Sequence, residues 1–476
     1  MSKTSWKVLM SLVVVAYVFT RVWHLNHFAL ESDEAFSVQV VRTSWHAMMQ
    51  AVLADSVHPP LFYVLLKLWA SVVGTSSVFW MRLLPCTISL LIVIPLWRIC
   101  SELALPKELT ATVFTLVTFN QILILTAQQL RMYSLLTLLS ATSLWLFMRA
   151  LTEGRDAVTF GLLLATNWAM IYTHYYGLVY IGAQFAFMGV WAYYHDQSIR
   201  KLRMYVLSLL ILSVAFTPWT IMIAYATEKK GGLHSNLDWI PAPSVVSVVT
   251  FFHVLSGPLP LRHTTILGVV LFTVPVILAL RTTKLPEVVT LGTFALLPVI
   301  TAIVSSYILP FSVFQPRYLV GCAIPYLLMV TISVYSLTAF KRIALATLLS
   351  WTVLSGVSFI RTPSRGMPWD KLAGEMNHTV RAYTFDDYEQ LPLAYYGVDI
   401  TILPKQTFEV SDRDFVFVYR KDTWNGKDPK DVWRDKGYEA VASVTESSFD
   451  ETIIASEWRR PRGSPDGKIG SNSHRG

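Results

Sequence analysis

Residues 82–149 read RLLPCTISLLIVIPLWRICSELALPKELTATVFTLVTFNQILILTAQQLRMYSLLTLLSATSLWLFMR. Three apolar runs lie in this stretch, at 82–99, 109–127 and 132–149, joined by short polar connections. Each has the roughly 20 mostly apolar residues that a helix needs to cross a bilayer. Working outward, the same pattern recurs at 7–24, 157–173, 177–194, 203–223, 264–280, 287–309, 317–337 and 342–360, which gives eleven candidate spans.

Composition agrees. Only 15% of the 476 residues are charged, against about 25% in an ordinary soluble protein. Charged residues are sparse through residue 360 and dense beyond it. The expectation is a mainly α, polytopic membrane helix bundle of about eleven spans over 1–360. A small exterior α/β domain follows over 361–458, then a disordered tail over 459–476. A soluble enzyme, a secreted disulfide scaffold and a disordered chain are excluded. Cys86, Cys100 and Cys322 show no ligand spacing and read as buried thiols. The run at 8–19 follows Lys3 and Lys7, but Arg21-Val-Trp-His does not look like a cleavage site, so it reads as a retained first span.

Two further apolar runs, 61–73 and 245–255, are too short to span and read as interfacial or re-entrant. The distribution of basic residues tests that reading. With eleven spans and a cytoplasmic N-terminus, Lys3, Lys7, Arg98, Lys107, Arg149, Arg155, Arg200, Lys201, Arg203, Arg281, Lys284, Lys341 and Arg342 all face inward, as the positive-inside rule requires. Promoting 61–73 to a span would invert most of them. The N-terminus is therefore expected inside a cell (inner) membrane. The long loops 25–81 and 224–263, and everything after 360, are expected outside. The net charge of +8 reports this topology and calls for no nucleic acid partner. In the first loop Val38, Val41, Trp45, Met48 and Val52 share one helical face, which predicts an amphipathic surface helix.

Chemistry-bearing residues collect on the exterior side. Glu31-Ser-Asp33-Glu34 follows the first span, and carboxylates at a membrane boundary can act as a base or hold a metal. An isolated Asp-Glu pair is more often a solvated loop; what shifts the balance is His58-Pro59-Pro60 in the same loop. Arg131 and Arg317 are the only charges of their short exterior loops. One such arginine would be explained by snorkelling; two beside carboxylates favour a bound anion such as phosphate. His174, in Tyr172-Thr-His-Tyr-Tyr-Gly177, adds an imidazole, while its tyrosines are equally well explained as membrane-interface anchors. Arg21 and Lys67 are also within reach of the exterior boundary. There is no Gly-rich phosphate loop, zinc spacing or Gly-x-Ser-x-Gly elbow.

Taken in order, Asp33-Glu34, His58-Pro-Pro-Leu-Phe-Tyr63, Arg82-Leu-Leu-Pro85, Gln128-Gln-Leu-Arg-Met-Tyr133, Thr173-His-Tyr-Tyr-Gly177, Pro218-Trp219 and Pro316-Arg-Tyr-Leu319 resemble the polyprenyl-phosphate-dependent GT-C-fold glycosyltransferases. That group includes protein O-mannosyltransferases, aminoarabinose transferases and their bacterial relatives. The resemblance covers residues 1–360. It implies transfer of a sugar from a polyprenyl-phosphate donor to an acceptor hydroxyl of a lipid, glycan or protein on the exterior face, among membrane lipids. It assigns Asp33, with Glu34 beside it, as catalytic, and His58, Arg131, His174, Arg317 and Tyr318 as substrate-binding. No cofactor is called for, and a divalent metal is not indicated. Many bacterial relatives carry Glu where this chain has Gln129, which moves the base assignment onto Asp33. The competing reading is a transporter or flippase of lipid-linked glycans, which would place its polar groups nearer mid-membrane.

Overall fold

The segment 107–128 forms two helices, Lys107–Phe119 and Gln121–Gln128, bent by 52° at their junction. Asn120 makes the break. Its backbone is extended, its side chain accepts from the Leu123 N–H to start the second helix, and its amide donates to the Leu255 carbonyl at 2.8 Å. The break leaves carbonyls of the first helix without intrahelical donors. Arg21 supplies them: its guanidinium donates to the Thr118 carbonyl and, at 2.8 Å, to that of Val117, and lies 3.8 Å over the Tyr17 ring. Arg21 is therefore turned inward onto the fold. It is fully buried, because a broken helix in an apolar bundle has no water to satisfy its end.

These elements come from a computed structural model. It describes residues 2–461 apart from 153–156, 195–197, 229–236, 238–239, 260–263, 283–285, 338–339, 363–365, 405–406, 425 and 449–450. All eleven apolar segments are helical. Among the described residues seven helices are long and apolar enough to cross a membrane, or eight with the bent pair as one span. Ala157–Thr173 and Thr264–Leu278 are shorter apolar helices. The chain is a mainly α, multi-pass membrane protein.

Leu61–Val73 is a helix of 13 residues. Phe62, Tyr63 and Leu66 are buried, whereas Leu68 and Val72 are exposed. Lys67, in its middle, donates to the carbonyls of Val41 and Thr43, so it closes a helix end. The expected surface helix is two helices, Ser32–Arg42 and Trp45–Asp55, because Ser44 caps the second by accepting from Ala47 N–H. Val38, Val41, Met48 and Val52 are buried as their spacing predicts, while Trp45 is exposed.

The chain divides into two compact units, Met1–Leu25 with Val40–Thr362, and Asn26–Gln39 with Pro363–Gly476. The second is built on a five-stranded sheet: β1 (Arg381–Thr384), β2 (Ile400–Ile402), β3 (Asp414–Arg420), β4 (Glu439–Ser448) and β5 (Glu451–Arg459), in the order β2-β1-β3-β5-β4. β1 pairs parallel to β2 and β3; β5 pairs antiparallel to β3 and β4. Alternation along β3 sends Val416 and Val418 to one core, with Trp369 and Leu372, and Phe415 and Phe417 to the other, with Trp433 and Trp458. Arg459 ends β5, so the ordered sheet includes the first residue of the expected tail; 462–476 lie outside the described residues.

Candidate functional site

Five side chains named from the sequence, His58, Arg131, His174, Arg317 and Tyr318, come together in the first unit. They arrive on four separate connections. His58 follows helix Trp45–Asp55, whose C-cap Ser56 is left-handed, and is fixed by Pro59 and Pro60 at the start of Leu61–Val73. Arg131 lies between Gln121–Gln128 and Tyr133–Thr152. His174 occupies the turn between Ala157–Thr173 and Tyr176–Tyr194. That turn is tight because Gly177 backs onto helical backbone; a Cβ there would meet the Met170 carbonyl at 2.8 Å. Arg317 and Tyr318 sit on the 3-10 helix Pro316–Cys322, with Pro316 in its first turn.

Contacts are direct. Arg131 Nη2 lies 3.2 Å from His58 Nδ1, and Arg131 Nη1 donates to Tyr63 Oη at 3.4 Å. The His58 and His174 rings are edge-on at 5.2 Å, and Tyr318 lies 4.9 Å from His174 and 6.1 Å from His58. Tyr133 stacks on Tyr318 at 6.2 Å, and Tyr176 meets it at 5.7 Å. The Arg317 guanidinium is 5.9 Å from the Tyr318 ring centre. His58, Arg131, His174 and Tyr318 are all buried.

The state of His174 follows from its neighbours. Nδ1 accepts from Tyr176 N–H at 3.2 Å, which leaves Nε2 to carry the proton of the neutral ring. Burial holds this imidazole well below its usual basicity, and His58, Arg131 and Arg317 push the same way. Nε2 is buried with no hydrogen-bond partner among the described residues. The cluster is thus cationic and donor-rich, chemistry suited to an oxyanion.

Several members were not singled out in the sequence. Tyr63 and Tyr133 lie within quoted motifs, but as aromatics in a membrane chain they carried no separate signal. Asp55 went unnoticed. Its carboxylate is 3.7 Å from His58 Nδ1, three residues along, and that spacing is the signal that could have found it. Gln128 is structural: its amide donates to the carbonyls of Thr20, Arg21 and Trp23 at the end of the first helix.

Asp33 and Glu34 belong to the second unit, in the first turn of Ser32–Arg42. Glu34 is buried and its Oε2 accepts from Glu31 N–H at 3.1 Å, closing the helix N-terminus as a glutamate in that position does. Asp33 is half-buried, and its carbonyl accepts from Ser37 Oγ. Among the described residues no group of three or more His, Cys, Asp or Glu could hold a metal ion.

No family model matches the chain, and no curated protein does. Among solved structures, ArnT from Cupriavidus metallidurans in the apo state matches with a TM-score of 0.61 at 12% identity, covering 96% of this chain and 98% of that one. ArnT bound to undecaprenyl phosphate matches with a TM-score of 0.57 at 11% identity, over 95% and 98%. The fold is ArnT-like. This is the fold that the sequence resemblance implied. The match to ArnT runs through nearly the full length of both chains, so it includes the C-terminal sheet, where the motif resemblance stopped at residue 360.

Proposed function

We propose that this chain is an integral-membrane glycosyltransferase that moves a sugar from a polyprenyl-phosphate donor to an acceptor hydroxyl on the exterior face. The observation that carries the reading is the cluster of buried Arg131, His58, His174 and Tyr318 beside the partly buried Arg317, in which the His174 Nε2 proton has no partner among the described residues. A buried unsatisfied donor is costly, and a ligand oxygen repays it. The ArnT-like fold supports the same reading, since the matching ArnT structure is bound to undecaprenyl phosphate.

In this reaction the acceptor oxygen attacks the anomeric carbon as the bond from that carbon to the phosphate oxygen breaks. Asp33 takes the hydroxyl proton. The bonding electrons leave with the polyprenyl phosphate, whose growing charge Arg317, Arg131 and His174 stabilise. Attack opposite the leaving group inverts the anomeric configuration. Glu34 is engaged with its own helix terminus and supports Asp33 by holding that turn.

The test uses purified protein in lipid with a panel of radiolabelled undecaprenyl-phosphate pentoses and hexoses, comparing wild type with Asp33→Asn. The expected result is donor turnover that falls by about 10²–10⁴-fold in Asp33→Asn, the usual contribution of a general base, with undecaprenyl phosphate binding retained. Absence of turnover with every donor, with binding unaffected by the substitution, would overturn it.

A further inference from the structure

The C-terminal sheet has no chemistry of its own in the proposed reaction, yet the segment bearing Asp33 is folded into it. Residues 26–39 are 324 or more positions away in sequence from the rest of their unit, and still cluster with it. Ala29 is part of the domain's hydrophobic core, together with Met367, Trp369, Leu372 and Leu393. Leu30 is fully buried, and its N–H donates to Tyr396 Oη at 2.9 Å. Gly366, with φ +78°, leaves room for the Glu31 carboxylate, which occupies the space a Cβ would take. Three consecutive residues are therefore held by core packing, a hydrogen bond and a close approach, and Asp33 is two residues further on, in the turn that Glu34 closes.

We propose that the C-terminal domain is the positioning element for the Asp33 carboxylate, with Tyr396 a positioning residue that acts through the Leu30 amide. The proposal rests on the transferase reading of Asp33. An anchor of this kind fixes the backbone from which the base projects, and a misplacement of about 1 Å at a reacting group costs on the order of 10²-fold in rate.

The experiment uses the full chain in lipid, as wild type, Tyr396→Phe and Ala29→Glu. Amide hydrogen exchange is followed over 26–36, and donor turnover is measured per mole of undecaprenyl-phosphate-binding protein. Expected are faster exchange at 26–36 with unchanged exchange in β3 and β5, and a kcat reduced about tenfold in Tyr396→Phe and more in Ala29→Glu, within that range. The donor KM stays put, and the acid limb of the pH–rate profile moves, which a mere loss of folded protein would not do. Wild-type exchange at 26–36, or faster exchange with wild-type kcat and pH profile, would overturn the proposal. If no donor is turned over by wild type, the transferase reading fails and the catalytic role given to the anchor falls with it; the exchange arm then reports on the anchor alone, so the two failures are told apart.

Discussion

Arg21 and Arg131 are both buried arginines in the helix bundle, and they serve opposite ends. Arg21 meets the carbonyls of Val117 and Thr118 and the Tyr17 face, all parts of the fold. Arg131 meets His58 and Tyr63, among imidazoles and phenols that also face Arg317 and His174. A broken helix explains the first without any ligand. A cation in an apolar sequence is thus no functional signal in itself; what it touches decides.

Exchanging each arginine for methionine sharpens this contrast most. Charged hydrogen bonds are worth about 1.5–3 kcal/mol each, so Arg21→Met, which strips two carbonyls, is expected to cost about 3 kcal/mol of stability by thermal unfolding in lipid. Arg131→Met is expected to change stability by about 1 kcal/mol and to weaken undecaprenyl phosphate binding about tenfold or more, a loss of about 1.4 kcal/mol. Equal destabilisation by both would break the comparison.

The C-terminal domain offers a buried charge with too little compensation. Glu389 accepts a 3.3 Å bond from Thr384, but burial first, then Asp386, push its carboxyl from 4.5 up to about 7. Below pH 4.5 it is neutral in both folded and unfolded chains. Between 4.5 and 7 the unfolded chain releases the proton first, so stability falls as pH rises through that window and is flat above it. Glu389→Gln is expected to flatten the slope and add about 2 kcal/mol at pH 8, read from unfolding at pH 5 and pH 8. An unchanged slope would remove Glu389 as its source.

A smaller effect tests the Arg131 side directly. His174→Phe removes a buried donor that has no protein partner among the described residues, and also the acceptor of the Tyr176 N–H, so stability is expected to fall by about 1 kcal/mol while undecaprenyl phosphate binding weakens about tenfold. The smallest concerns the Arg21 type of role. Ser143, Asn167 and Gln184 form a closed ring of hydrogen bonds across three helices, with the Asn167 amide donating to Gln184 at 3.0 Å. Ser143→Ala is expected to cost about 1 kcal/mol and leave binding untouched. A binding defect there would extend the site into the bundle.

Arg21 shows what a local reading of the sequence leaves out, and the reason is general. Its position near a span end is visible locally, but the carbonyls it serves are nearly a hundred residues away. Lys67 is a shorter-range case: it closes the end of a helix that the sequence could not see breaking at Thr43 and Ser44. His58, Arg131, His174 and Arg317 drew notice because each stands out in an apolar connection, whereas Tyr318 came only with the motif resemblance. Asp55 was not, since one carboxylate at the end of a helix looks like any other.

By itself the sequence determined the helical, membrane-embedded class and the places of the apolar segments. Those depend on hydropathy and its period, which are local properties of the chain. Only the tertiary structure decided which cations serve helix ends and which gather with imidazoles and phenols, and that the Asp33 segment folds with residues beyond 362. Those outcomes depend on which distant groups supply hydrogen bonds once water is excluded, and no window along the sequence contains both partners.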